Sequence, residues 1–228
     1  MNLFDQTWNL FKKEVLLEWR SKYAFNGILL YVASTVFICY ISFKLTPGFA
    51  GSNGYSIVWN VLFWIIMLFA SVNAVAKSFM QESRARLLYY YTIAGPQAII
   101  LSKIIYNVLL MSLLSLLTLL VYFTFFPNKI GSPVLYVFSV LLGSISFSTV
   151  FTMISAIASK AGNNGTLMSI LSFPVIIPVI LVVIHLSKQA MDGIEINSHV
   201  YQNLGALGAI DLIVIATSLL LFPFLWRD

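Results

Sequence analysis

Six apolar runs, each long enough to cross a bilayer, constrain this chain more than any other feature. They cover residues 24–43, 55–76, 98–126, 133–158, 166–186 and 204–225. A hydrocarbon core about 30 Å thick takes roughly 20 helical residues to cross. Backbone amides inside lipid must be satisfied within their own segment, which restricts such runs to helices. The breaks between them read TPGFAGSNG, PNKIGS, KAGNNG and SKQAMDGIEINSHVYQN, and are rich in the Gly, Pro, Asn and Ser of turns. Only 9% of the residues are charged and 60% are hydrophobic. A soluble domain carries about 25% charge, so a soluble globule is excluded. The expectation is an all-α membrane protein, one transmembrane domain over residues 1–228, with no internal repeat or long linker.

The basic residues set the expected orientation. With the amino terminus inside, the cytoplasmic side holds ten: Lys12, Lys13, Arg20, Lys22, Lys77, Arg84, Arg86, Lys103, Lys160 and Arg227. The outer side holds three, Lys44, Lys129 and Lys188. This is a positive-inside distribution with both termini cytoplasmic. It also accounts for the net charge of +5 without a nucleic-acid partner. Residues 1–22 lack the pattern of a signal peptide, since Asp5, Lys12, Lys13, Glu14 and Glu18 interrupt them. On a helix Phe4, Trp8, Phe11, Val15 and Trp19 form one apolar stripe, with Lys12, Lys13 and Arg20 on much of the rest. That pattern predicts an amphipathic helix in the cytoplasmic membrane interface, with its tryptophans at headgroup level. A helix packed on a protein partner has the same pattern.

No catalytic constellation is present. The sequence has no G-x-x-x-x-G-K-[ST] phosphate loop, no HExxH and no CxxCH, so any ATP hydrolysis belongs to another subunit. The single cysteine, Cys39, excludes an internal disulfide. Asp211 falls inside the last run, about 12 Å from its outer end at 1.5 Å per residue. A carboxylate at that depth is costly, and it reads either as a functional proton or ion site or as a hydrogen-bonded tie between helices. His185 and His199, near the outer boundary, are weak candidates for haem ligands and equally ordinary boundary residues. Pro174 and Pro178, one turn apart, mark either a hinge or a static kink. Ser144, Ser148, Thr152, Ser155 and Ser159 make a hydroxyl stripe beside Gly143, fit for close helix packing or for a polar path. Gly205 and Ala209 repeat the small-residue signal more weakly.

The stretch QESRARLLYYYTIAGPQ, residues 81–97, is the polar exception. Within the cytoplasmic connection 77–97, Glu82 and Arg86 are spaced to pair along a helix. Leu87, Leu88, Tyr89, Tyr90 and Tyr91 offer surface to a partner groove, and Arg84 adds charge. A basic, aromatic membrane anchor is the other reading.

Several segments together resemble one known family. These are the aromatic, charged loop running into AIILSKIIYN, the proline-paired LSFPVIIPVI, and LGALGA at the start of the sixth run. Their order and spacing are similar to those of the permease subunit of the haem-exporter, or cytochrome c maturation, ABC transporter: the protein B family. Many members carry Gly-x-Leu-Glu-x-Leu in the cytoplasmic loop, where this chain has Arg84-Ala85-Arg86-Leu87-Leu88-Tyr89. The resemblance implies a multi-pass protein of the bacterial inner membrane and a homodimer joined to two ABC ATPase subunits. It also implies a haem-handling membrane protein and a haem chaperone as partners. Haem is then a handled or transported ligand rather than a resident cofactor, and ATP acts through the partner subunit. Two further functions stand beside this one: a non-transporting scaffold of a haem-loading complex, and an ion-coupled secondary transporter using Asp211.

Overall fold

The computed structural model describes residues 2–21, 23–45, 48, 54–80, 94–126, 130–159, 164–193 and 198–227. Among them there are seven helices and no strand: α1 (Leu3–Ser21), α2 (Tyr23–Lys44), α3 (Tyr55–Met80), α4 (Pro96–Phe125), α5 (Pro133–Ala158), α6 (Asn164–Met191) and α7 (Ser198–Arg227). The last six are long and apolar enough to cross a membrane. The chain is therefore an all-helical, multi-pass membrane protein.

Each crossing helix runs against the one before it, giving the bundle two ends. One, the α1 end, gathers the start of α4 and the ends of α3, α5 and α7. α5 is the central helix and packs on α3, α4, α6 and α7. In its most apolar stretch 61% of residues are buried, against 17% for α2 and 22% for α7. The outer helices are apolar on their exposed sides as well, as lipid-facing helices are.

Polar bonds from aromatic and amide side chains fasten the end opposite α1. The Trp59 indole N–H donates to the Phe126 carbonyl at 2.9 Å, and the Tyr122 hydroxyl returns to the Trp59 carbonyl at 2.9 Å. Asn60 donates to the Ile184 carbonyl at 3.1 Å, and Trp64 donates to Ser187 Oγ at 2.8 Å. These bonds cross from α3 to α4 and α6 inside an aromatic cluster that also contains Phe63 and Tyr136. Buried tryptophan and tyrosine bring apolar area plus a polar tip that needs a partner, and here each tip has one. At the same end Gly131 and Ser132 donate their amides to the Met191 and Ala190 carbonyls at 3.0 and 2.9 Å. A Cβ on Gly131 would stand 2.3 Å from Gly193 Cα, and Gly193 has φ +68°. Only glycines allow that backbone approach.

α1 packs against the start of α4. Gln6 meets Gly95, and Glu14 meets Lys103, at the same sequence offset of 89 residues. Two contacts in step, about 12 Å apart along each axis, require α1 to run parallel to the first turns of α4 rather than to lie flat across it. A mixed strip of α1 faces the bundle, with Thr7 buried and Leu10, Glu14 and Glu18 partly buried, while Asp5, Asn9, Lys12 and Arg20 are exposed. The aromatic side looks outward: Phe4 is 76% exposed, Trp19 77% and Trp8 47%. The Glu18 carboxylate accepts the Phe25 N–H at 3.0 Å and so spans the break between α1 and α2. α2 then continues along α4 until Tyr40 meets Phe125.

Candidate intramembrane and coupling sites

Asp211 is 8% exposed and sits on α7, which begins at Ser198, six residues before the apolar run read from the sequence. That earlier start puts Asp211 thirteen residues from the helix terminus, about 20 Å in at 1.5 Å per residue. The carboxylate lies near the middle of α7. Its partners come from α5: Ser146 Oγ at 3.0 Å and Thr149 Oγ1 at 3.2 Å. Both hydroxyls also reach carbonyls of their own helix, Leu142 at 3.2 Å and Ser146 at 3.0 Å. The arrangement ties α7 to α5, and no cationic side chain pairs with Asp211 among the described residues.

The hydroxyl stripe faces the other side of α5. Ser144, Ser148, Thr152 and Ser155 are fully buried, and α4 fills the space beside them. Asn107 Nδ2 donates to Thr152 Oγ1 at 2.9 Å, and Ser112 and Ser144 lie 3.4 Å apart. Gly143 admits the Trp64 ring, since a Cβ there would fall 2.4 Å from Trp64 Cη2. This is a closed packing seam between helices.

Pro174 and Pro178 both lie inside α6 and on its exposed side. His185 is also exposed on α6, and His199 is exposed in the first turn of α7. Among the described residues no three His, Cys, Asp or Glu side chains gather as a metal site would require. A cavity of about 10 Å³ lies between α4, α5 and α7, lined by Ile100, Met153 and Phe222 among others. It is the size of one water and far below that of a porphyrin.

The residues that the sequence suggests for coupling, Glu82, Arg84, Arg86, Leu87, Leu88, Tyr89, Tyr90 and Tyr91, lie outside the described residues. The elements on either side of them are described. α3 ends at Met80 and α4 begins at Pro96, after Gly95 with φ −69° and ψ 150°. Between those ends, Lys103 is 2% exposed, a burial that sequence reasoning missed. Its Nζ is 3.4 Å from Glu14 Oε1 and 4.8 Å from the centre of the Phe79 ring. Lys13 Nζ adds a second contact to Glu14 at 2.8 Å. Burial works to raise the Glu14 pKa, but the ammonium groups of Lys103 and Lys13 outweigh it and hold the carboxyl below its ordinary range. Phe79 rests on Phe222 at 5.7 Å, so α1, α3, α4 and α7 converge on this buried cation. The only trace of it in the sequence is a lysine five residues into an apolar run.

A search among curated proteins returns no match. The family model described as CcmB protein matches residues 5–225, which is nearly the whole chain and includes all six crossing helices. The chain belongs to the CcmB protein family, membrane permease subunits of an ABC transporter system acting in haem export and cytochrome c maturation.

Proposed function

We propose that this chain is the transmembrane half of an ABC assembly in which a separate subunit hydrolyses ATP and the chain turns that event into release or loading of a haem chaperone. The family match over residues 5–225 carries this reading. The lack of a phosphate-binding loop anywhere in the sequence supports it, because hydrolysis then falls to a partner. The assembly contains two copies of the chain, two ATPase subunits, a haem-handling membrane protein and a haem chaperone. It sits in the bacterial inner membrane with both termini cytoplasmic, as the basic residues favour.

The ATPase docks on the connection 77–97 through Glu82, Arg84, Arg86, Leu87, Leu88 and Tyr89 to Tyr91. Haem does not thread this subunit. The closed α4–α5 seam favours a mechanical role over a conduit. Pro174 and Pro178 are the positions where α6 yields during that motion, because each removes a backbone hydrogen bond.

Purification of the intact assembly in mild detergent tests the reading. An ATPase subunit is expected at one copy per permease, and a preparation that keeps the haem-handling partner but has no ATPase would refute it. Charge reversal by Arg84→Glu with Arg86→Glu is expected to cut ATPase recovery by at least about tenfold while membrane insertion is unchanged. Undiminished recovery would move the docking site elsewhere.

A further inference from the structure

Both sides of the connection that follows α3 are held to α1. On the α3 side, Phe79 in the last turn presents its ring face to Lys103 Nζ at 4.8 Å, and the same ammonium reaches Glu14 of α1 at 3.4 Å. On the α4 side, the Gly95 N–H donates to Gln6 Oε1 of α1 at 3.0 Å. An ammonium that is 2% exposed is expensive to bury unless it is paired and stacked. A methionine would fill the same space at lower cost, so packing alone does not explain a lysine here. Charge gives a directed link between three elements, which an apolar side chain does not.

We propose that Lys103 is a positioning residue that joins the end of α3, the start of α4 and α1 into one moving unit. Displacement of the connection between α3 and α4 then shifts α1. α1 passes the shift to α2 through Glu18, which holds the Phe25 N–H at 3.0 Å. The tie itself follows from the contacts above; its use in coupling rests on the reading that the ATPase docks on that connection.

The test uses the full assembly in lipid nanodiscs, with Lys103→Met, Lys103→Arg, Phe79→Leu and the double variant Lys103→Met/Phe79→Leu. Amide hydrogen exchange is followed over residues 3–21, 75–80 and 94–100. Cytochrome c matured per ATP hydrolysed is measured in parallel. Lys103→Met is expected to speed exchange in all three stretches together by about tenfold. It should lower cytochrome yield per ATP by at least about fivefold while the ATPase still co-purifies. Lys103→Arg keeps both the charge and the ring contact and should behave as the parent does. The double variant should be no worse than Lys103→Met alone, because both changes cut the same link.

The proposal is overturned if only residues 3–21 loosen, if yield per ATP is unchanged, or if the two changes add. Phe79→Leu retains apolar bulk at the α3 end, so it serves should Lys103→Met fail to accumulate. Its expected result is faster exchange over residues 3–21 as well as 75–80, and a response confined to 75–80 would refute the link. Loss of the ATPase from the parent assembly would instead sink the functional reading, while the exchange data would still decide whether Lys103 joins the three elements.

Discussion

At Gly143 the packing leaves no room for a methyl group. A Cβ would press on the Trp64 ring at 2.4 and 2.6 Å, and the ring is held by its bond to Ser187. Gly143→Ala is therefore expected to destabilise the bundle by about 1–3 kcal/mol, read as a lower melting temperature in detergent. Trp64→Phe in that background should restore part of the loss, because the clashing atoms are gone. Asp211 gives a contrasting expectation. Asn keeps an acceptor toward Ser146 and Thr149, so Asp211→Asn should leave thermal stability and cytochrome maturation near parental. Asp211→Leu should cost about 0.6–1.7 kcal/mol, from the average to the largest value found for hydrogen bonds between membrane helices. A loss of maturation in Asp211→Asn, at unchanged stability, would give the carboxyl a chemical role. The sequence marked both residues as unusual. It did not reveal their partners, because Trp64 and Gly143, like Ser146 and Asp211, meet only when distant helices pack.

Among the elements, α1 carries the clearest expectation. Its bundle-facing strip carries Glu14, whose pKa is lowered by Lys103 and Lys13 against the effect of burial. A carboxyl with a lowered native pKa contributes stability that is fully present above its unfolded value, about 4.3. That contribution fades as pH falls through the lower native value. α1 docking should therefore be constant from pH 7 to about 5 and weaken below about 4. Cross-linking between cysteines placed at the Gln6 and Gly95 positions would follow it. Glu14→Gln should flatten that pH dependence, and a profile unchanged by the substitution would assign the titration to another group. The sequence showed that a helix would form over residues 1–22 and which side was apolar. It suggested that the helix lies in the membrane interface, and it did not show that the helix also packs along the start of α4. Amphipathic pattern fixes a helix's faces, but only its neighbours fix the direction of its axis.

For the whole molecule, the scaffold and the mechanical readings diverge when hydrolysis stops. With an ATPase subunit that binds but does not hydrolyse ATP, cytochrome c maturation is expected to fall to background while the assembly survives purification. Maturation that persists would favour the scaffold. Much of the architecture was legible beforehand because lipid leaves the chain few choices. Runs of about 20 apolar residues must be helices in a core that offers no hydrogen bonds, so the six crossings were written in composition and spacing. The family was legible too, in the order and spacing of three apolar segments. What only the tertiary structure decided is which helix occupies the centre, what Asp211 is bonded to, and that Lys103 is buried. Those properties depend on contacts between residues far apart in the chain, such as Lys103 with Glu14 and Asp211 with Thr149. One-dimensional periodicity assigns a residue to a face; packing in three dimensions determines what that face meets.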